Sequence, residues 1–248
     1  MPKNRPWSAW VFIAALILLW QAACTAALVP PYMLPSPLMV LSAFAGDFPL
    51  LMHHLGYTLF EAAAGLLLSI LGAFVLALLM DAIPFLKTTV SPVLLLTQTM
   101  PTIALAPLLV LWMGYGAAPK VALIFLTCFF PLTIGLLTGF TQADGDAILL
   151  LQSMGARRGQ IYRYIKIPEA IPAFFSGLRI SSSYAIIGAV ISEWLGGNAG
   201  LGVYMTRVRK SYSFDKMFAV ILLVALLSLC LMKLVSIIEG LVTPWNKE

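Results

Sequence analysis

Six stretches of this chain are each long and apolar enough to cross a lipid bilayer, and nothing else in it limits the possible folds so sharply. They run from about Trp7 to Val29, Tyr57 to Met80, Val90 to Met113, Val121 to Phe140, Phe175 to Leu195 and Met217 to Ile238. A helix rising about 1.5 Å per residue needs roughly 20 residues to span hydrocarbon. Hydrocarbon also offers no partner to a free N–H or C=O, so such runs must be helices. With 61% hydrophobic and 10% charged residues, against about 25% charged in soluble domains, the chain reads as an all-α membrane protein of six transmembrane helices. It reads as a single domain over 1–248, with no segment long enough to form a separate soluble unit.

The first run follows Lys3 and Arg5, as a signal peptide would. It is too long for a signal-peptide core and lacks an A-x-A cleavage site, so it is expected to stay as a helix entering from the cytoplasm. Pro30 to Pro37 cannot continue a helix, and Leu38 to His54 reads as an amphipathic segment at the outer interface. Both termini are then cytoplasmic. The inner side carries Lys3, Arg5, Lys87, Arg157, Arg158, Arg163, Lys166, Arg179, Lys233 and Lys247. The outer side carries Lys120, Arg207, Arg209, Lys210 and Lys216, and ten against five agrees with the positive-inside rule. Basic residues placed at the ends of apolar runs orient helices, so the net charge of +5 does not point to nucleic acid. Cys24, Cys128 and Cys230 lie inside apolar runs without a C-x-x-C pair, so neither a disulfide nor a metal site is expected. His53 and His54 are adjacent and read as a wet interfacial loop.

One segment breaks the apolar pattern. In "MGARRGQIYRYIKIPEAIP", Met154 to Pro172, Arg157, Arg158, Arg163 and Lys166 fall within ten residues. Asp144 and Asp146 stand before "AILLLQSM", where a helix dipole favours negative charge. Gly155 then ends that helix, and a second short helix from about Arg157 to Ile165 is expected to stop before Pro168. The result is a helix–turn–helix loop over about 144–168, on the cytoplasmic side between spans four and five.

From Gly155 to Ile165, Ile167 and Pro168, "G-x9-I-x-I-P" resembles the cytoplasmic loop signature of binding-protein-dependent ABC importer permeases. That signature opens with E-A-A three residues before the glycine. Here those positions are Leu149, Leu150 and Leu151, so the acidic residue and any salt bridge it makes are missing. "MPTIALAPLLVLWMGYGAAPK", Met100 to Lys120, resembles the P-x-x-A-x-x-P-L-x-x-x-W-x-G pattern of the nitrate, sulfonate and taurine branch. "SEWLGGNAGLGVYM", Ser192 to Met205, is similar to that branch's E-x-x-G-x-x-x-G-L-G segment. Together the three cover most of Met100 to Met205, in order.

The resemblance implies a coupling loop that docks on a separate ATP-hydrolysing subunit, a second copy of the chain forming a homodimer in the bilayer, and an external solute-binding protein. The chain itself is then a transport subunit of the bacterial inner membrane, with no cofactor of its own, ATP and Mg being bound by the partner. The coupling residues it implies are Met154, Gly155, Ala156, Arg157, Arg158, Ile165 and Pro168. Glycine permits the turn and alanine a close approach, while the arginines suit acidic groove residues or backbone carbonyls; they suit lipid phosphates equally. "GGNAGLG", Gly196 to Gly202, lacks a preceding strand and a Walker lysine, so it is not a phosphate loop.

Proline-interrupted backbone at membrane depth often lines a cavity. Gln98, Thr99, Pro101 and Thr102, with Ser181, Ser182 and Tyr184 in span five, either line a solute path or tie helices together. Glu61 reads as snorkelling from the outer end of span two, and Glu193 as facing the path or a dimer partner. An ion-coupled secondary transporter would show inverted repeats and paired intramembrane charges, and the sequence displays neither. A membrane-embedded enzyme would cluster His, Asp, Glu or Cys at one depth. The resembling branch handles sulfonates, nitrate and pyrimidine precursors of thiamine. The scarcity of cations in the spans leans toward a neutral aromatic solute such as a hydroxymethylpyrimidine.

Overall fold

The computed structural model describes residues 6–30 and 32–244, all of whose elements are helical. Lys3, Arg5 and Lys247, which enter the charge balance above, lie outside the described residues. The helices are α1 (Pro6–Thr25), α2 (Pro37–Gly46), α3 (Phe48–Ala82), α4 (Pro84–Thr99), α5 (Thr102–Met113) and α6 (Ala117–Gln142). There follow α7 (Gly145–Ser153), α8 (Arg158–Ile161), a π-helical turn (Tyr162–Lys166), α9 (Ile167–Glu193), α10 (Leu201–Lys210) and α11 (Phe214–Val242).

Among the described residues four continuous helices are long and apolar enough to cross a membrane: α3, α6, the helix Arg158–Glu193, and α11. The pair α4 and α5 adds a fifth crossing if counted as one span, bent by 101°. Of the three prolines in that run, only Pro101 breaks the helix, because the residue before a proline is pushed to extended backbone. Met100 and Pro101 have ψ of 125° and 115°, whereas Pro92 and Pro107 sit inside continuous helix. The interfacial segment expected over Leu38 to His54 is instead α2 and the first two turns of α3, parted at Asp47.

The core is α6 packed between α9 and α3. In lipid no hydrophobic force drives helices together, so close backbone approach through small residues must do it. Gly135 and Gly139 form a G-x-x-x-G face on α6, against Ala170, Ala173 and Gly177 of α9. A Cβ added at Gly139 would lie 2.4 Å from Ala170 Cα, and one at Gly177 would lie 2.6 Å from the Pro131 carbonyl oxygen. Ser181 and Cys128 lock the same interface: Ser181 Oγ donates to Cys128 O at 3.1 Å, and Cys128 Sγ donates to Ser181 O at 3.3 Å. Ser182 Oγ donates to Leu178 O within its own helix.

The expected stop before Pro168 does not occur. The chain runs on helically into α9 because the π turn absorbs the proline: the Ile167 N–H reaches back five residues to Tyr162 O. Pro168 follows the π turn directly, as the second residue of α9. The consequence is mechanical, since the basic loop is a rigid extension of a spanning helix.

Gly139→Val should strain the α6–α9 contact by about 1–3 kcal/mol, because the clash is with backbone. Gly240, whose added Cβ would meet nothing within 4 Å, serves as the control. Thermal unfolding in detergent should show a lower midpoint for Gly139→Val and little change for Gly240→Val.

Candidate translocation cavity and coupling loop

Where α4 and α5 part at Pro101, a cavity of ≈ 340 Å³ opens between them and the facing sides of α6 and α9. Gln98, Pro101, Thr102 and Tyr184 line it, together with Thr97 and Thr127. Of the residues singled out in the sequence, these first four are brought together. Thr99 does not line the cavity; its hydroxyl donates to Leu96 O at 2.8 Å. Ser181 and Ser182 are buried in helix contacts. Most hydroxyls in the spans, including those of Thr97 and Thr127, donate to a carbonyl of their own helix. Gln98, Thr102 and Tyr184 do not: their side chains have no hydrogen-bond partner among the described residues.

Glu193 lies elsewhere, at the end of α9, with 1% of its surface exposed. Its Oε1 accepts from Thr58 Oγ1 at 2.7 Å and its Oε2 from the Gly202 N–H at 2.6 Å. Thr58 Oγ1 in turn accepts from the Leu201 N–H at 2.9 Å, and His54 Nδ1 accepts from the Gly200 N–H at 3.0 Å. Three side chains from α3 and α9 thus satisfy the donors at the N-terminus of α10, which would otherwise be buried and unpaired. The glycine run has its reason here. Gly200 sits at φ +125°, and a Cβ on it would lie 2.2 Å from the Glu193 carboxylate; one on Gly202 would lie 2.2 Å from Val190 O.

Two expectations are corrected by this network. His54 is a buried helical residue, not part of a wet loop. Glu61 does not snorkel: it is buried, and Lys120 Nζ donates to its Oε1 at 2.6 Å. The sequence displayed no paired intramembrane charges because the two partners are 59 residues apart. Lys120 lies in the first turn of α6, so the pair sits toward an end of the bundle. Outside the spans, Lys216 and Tyr204 both donate to Asp47, and those hydrogen bonds, Lys216 foremost, hold its carboxyl below the ordinary aspartate range.

At the opposite end, Asp144 caps α7 by accepting from the Asp146 and Ala147 N–H groups. Gly155 takes φ +81°, its N–H bonds Gln152 O at 2.9 Å, and the Ala156 N–H bonds Leu151 O at 2.9 Å. That is a Schellman termination. The turn leaves Met154 74% exposed beside exposed Leu149, Leu150, Arg157 and Arg158. Ile165 is buried, and Pro168 is half-buried. Asp81, at the end of α3, ties the loop down by accepting from Lys166 Nζ at 2.6 Å and from the Tyr162 hydroxyl.

A bundle with a broken span, a central cavity and an exposed helical elbow at one end is the architecture of a membrane permease. The chain matches the family of binding-protein-dependent transport system inner membrane components over residues 73–244, and it belongs to that family. It is 35% identical over 239 residues to a formylaminopyrimidine transport permease of Halalkalibacterium halodurans, covering 96% of this chain and 95% of that one. It is 28% identical to a taurine transport system permease of Escherichia coli, covering 95% and 88%. A crystal structure of an amino acid ABC transporter with histidines shares the fold, with a TM-score of 0.67 at 18% identity over 81% of this chain and 97% of that one. The chain is therefore a multi-pass transport subunit of the inner membrane in an ABC importer, not an enzyme. As such it works with an ATPase and a binding protein.

Removing one member of a buried ion pair leaves an uncompensated charge, at a cost of about 3–5 kcal/mol. Lys120→Met should accordingly lower the thermal midpoint strongly, and Lys120→Met with Glu61→Leu should restore most of it. Melting the single and double variants in detergent checks the order.

Proposed function

We propose that this chain forms the membrane pathway of an importer for a small uncharged heterocycle, close in chemistry to formylaminopyrimidine. The relative that transports that compound is similar along nearly the whole chain. The observation that carries the reading is the cavity at the α4–α5 break, whose lining holds no charged side chain. A sulfonate or nitrate would lose its hydration there without gaining a counter-charge.

Six spans complete the pathway subunit: α1, α3, the α4–α5 pair, α6, α9 and α11, acting as a single domain paired with a second copy of itself. Both termini and the 144–168 loop face the cytoplasm. Met154, Gly155, Ala156, Arg157 and Arg158 meet the ATPase, while buried Ile165 and Pro168 join that elbow to α9. Nucleotide and Mg are held by the ATPase and none by this chain. The exposed basic end of α10, Arg207, Arg209 and Lys210, faces the external binding protein.

The test is to express the chain with its ATPase, tag only the permease, and measure how much ATPase is retained in detergent. Arg157→Glu with Arg158→Glu should abolish retention. Gly155→Val, strained at a positive φ, should keep the spans folded while cutting transport per ATP hydrolysed several-fold. Normal coupling in Gly155→Val, or full retention after charge reversal, would refute the docking role.

A further inference from the structure

The substrate reading leaves open where discrimination occurs. In an importer fed by a binding protein, the membrane subunit needs only a path. This chain holds more than that.

Three side chains of different chemistry converge on the cavity unpaired. Tyr184, on α9, is 43% exposed, and neither its hydroxyl nor its ring has a partner among the described residues. Across the cavity, the Gln98 amide stands on the last turn of α4 and the Thr102 hydroxyl on the first turn of α5. Elsewhere the spanning helices absorb most of their hydroxyls in their own backbone, and the aromatic rings of the core stack on one another, as Phe125 does on Phe129. Polar groups left unpaired at membrane depth are expensive unless something meets them. The remaining lining is mainly apolar, with Leu105, Leu126, Ile187 and Ile191, and its two further hydroxyls, on Thr97 and Thr127, are bonded within their own helices. Apolar walls, a few convergent polar groups and a volume near the lower end of the roughly 300–1,000 Å³ range describe a ligand site.

Resting on the substrate reading above, we propose that this cavity is a selective binding site within the permease itself for an uncharged, hydrogen-bonding heteroaromatic ring. Tyr184 supplies the stacking face. Gln98, with both a donor and an acceptor, reads the alternating donors and acceptors on the ring edge, and Thr102 adds one more contact. An apolar solute leaves the amide unsatisfied, and an anion finds no cation, so each is rejected for a separate physical reason.

The experiment measures equilibrium binding to the permease–ATPase complex in lipid nanodiscs, without binding protein, using labelled formylaminopyrimidine with ethanesulfonate as the anionic comparator. Uptake by proteoliposomes supplied with binding protein and ATP is measured in parallel. The expected result is saturable binding of the pyrimidine and none of ethanesulfonate. Tyr184→Ala and Gln98→Leu should each weaken binding at least tenfold, with Tyr184→Phe retaining most of it and the complex staying intact. If the pyrimidine is taken up but does not bind the complex alone, the site is refuted while the substrate reading stands. If it is neither taken up nor bound, while ethanesulfonate is transported, both fall. If the variants dissociate the complex without changing the affinity of what remains, Gln98 and Tyr184 hold chains together and the site is refuted.

Discussion

In hydrocarbon every backbone N–H and C=O must find a partner inside the protein, and the rest of this structure follows from how the chain meets that demand. Most of it complies as uninterrupted helix. Among the described residues three places depart in different ways. At Pro101 the helix breaks outright and the break faces a cavity. At Pro168 a π turn carries the helix through. At the start of α10, His54, Thr58 and Glu193 replace the missing turn of carbonyls.

These departures divide the molecule into a rigid part and a broken one. The contact of α6 with α9 is close because glycine on each helix meets backbone on the other, while the glycines of α3 meet side chains of α6, foremost Ile124 and Phe125. The Glu193 network fixes α10 to that block, and the π turn fixes the basic loop to the same block through α9. One continuous helix, Arg158–Glu193, thus joins the basic segment at one end of the bundle to the α10 network at the other. The α4–α5 pair lies beside this block with fewer ties, and the cavity opens along that seam.

Features set by adjacent residues were legible in the sequence. Spans show as apolar runs, Asp144 and Gly155 announce the limits of α7, and the prolines of the third span announce an interruption without showing that Pro101, and neither Pro92 nor Pro107, makes it. Features set across the chain were not. Nothing local marks Lys120 as the partner of Glu61, or His54 as the cap of a helix some 146 residues on. Glu193 looked like a pathway group because a buried acid in a span usually is one; only the folded chain reveals that its carboxylate ends a helix. Ser181, Ser182 and Tyr184 occupy neighbouring positions, yet two helical steps separate Ser182, buried with Ser181 in helix packing, from the tyrosine at the cavity. The proline rule failed at Pro168 for a similar reason, since a single π turn supplies the alternative that the rule leaves out.

The central claim is that the seam at Pro101 is a solute path and not a lipid-facing kink. The most direct test is thiol accessibility in a chain whose three cysteines are changed to serine, labelled with a charged, membrane-impermeant reagent. Thr102→Cys should react, at a rate that changes several-fold between the nucleotide-free and ATP-bound complex, while Leu95→Cys, on the exposed apolar side of α4, should stay inert. Equal inertness of both in either state would contradict the account.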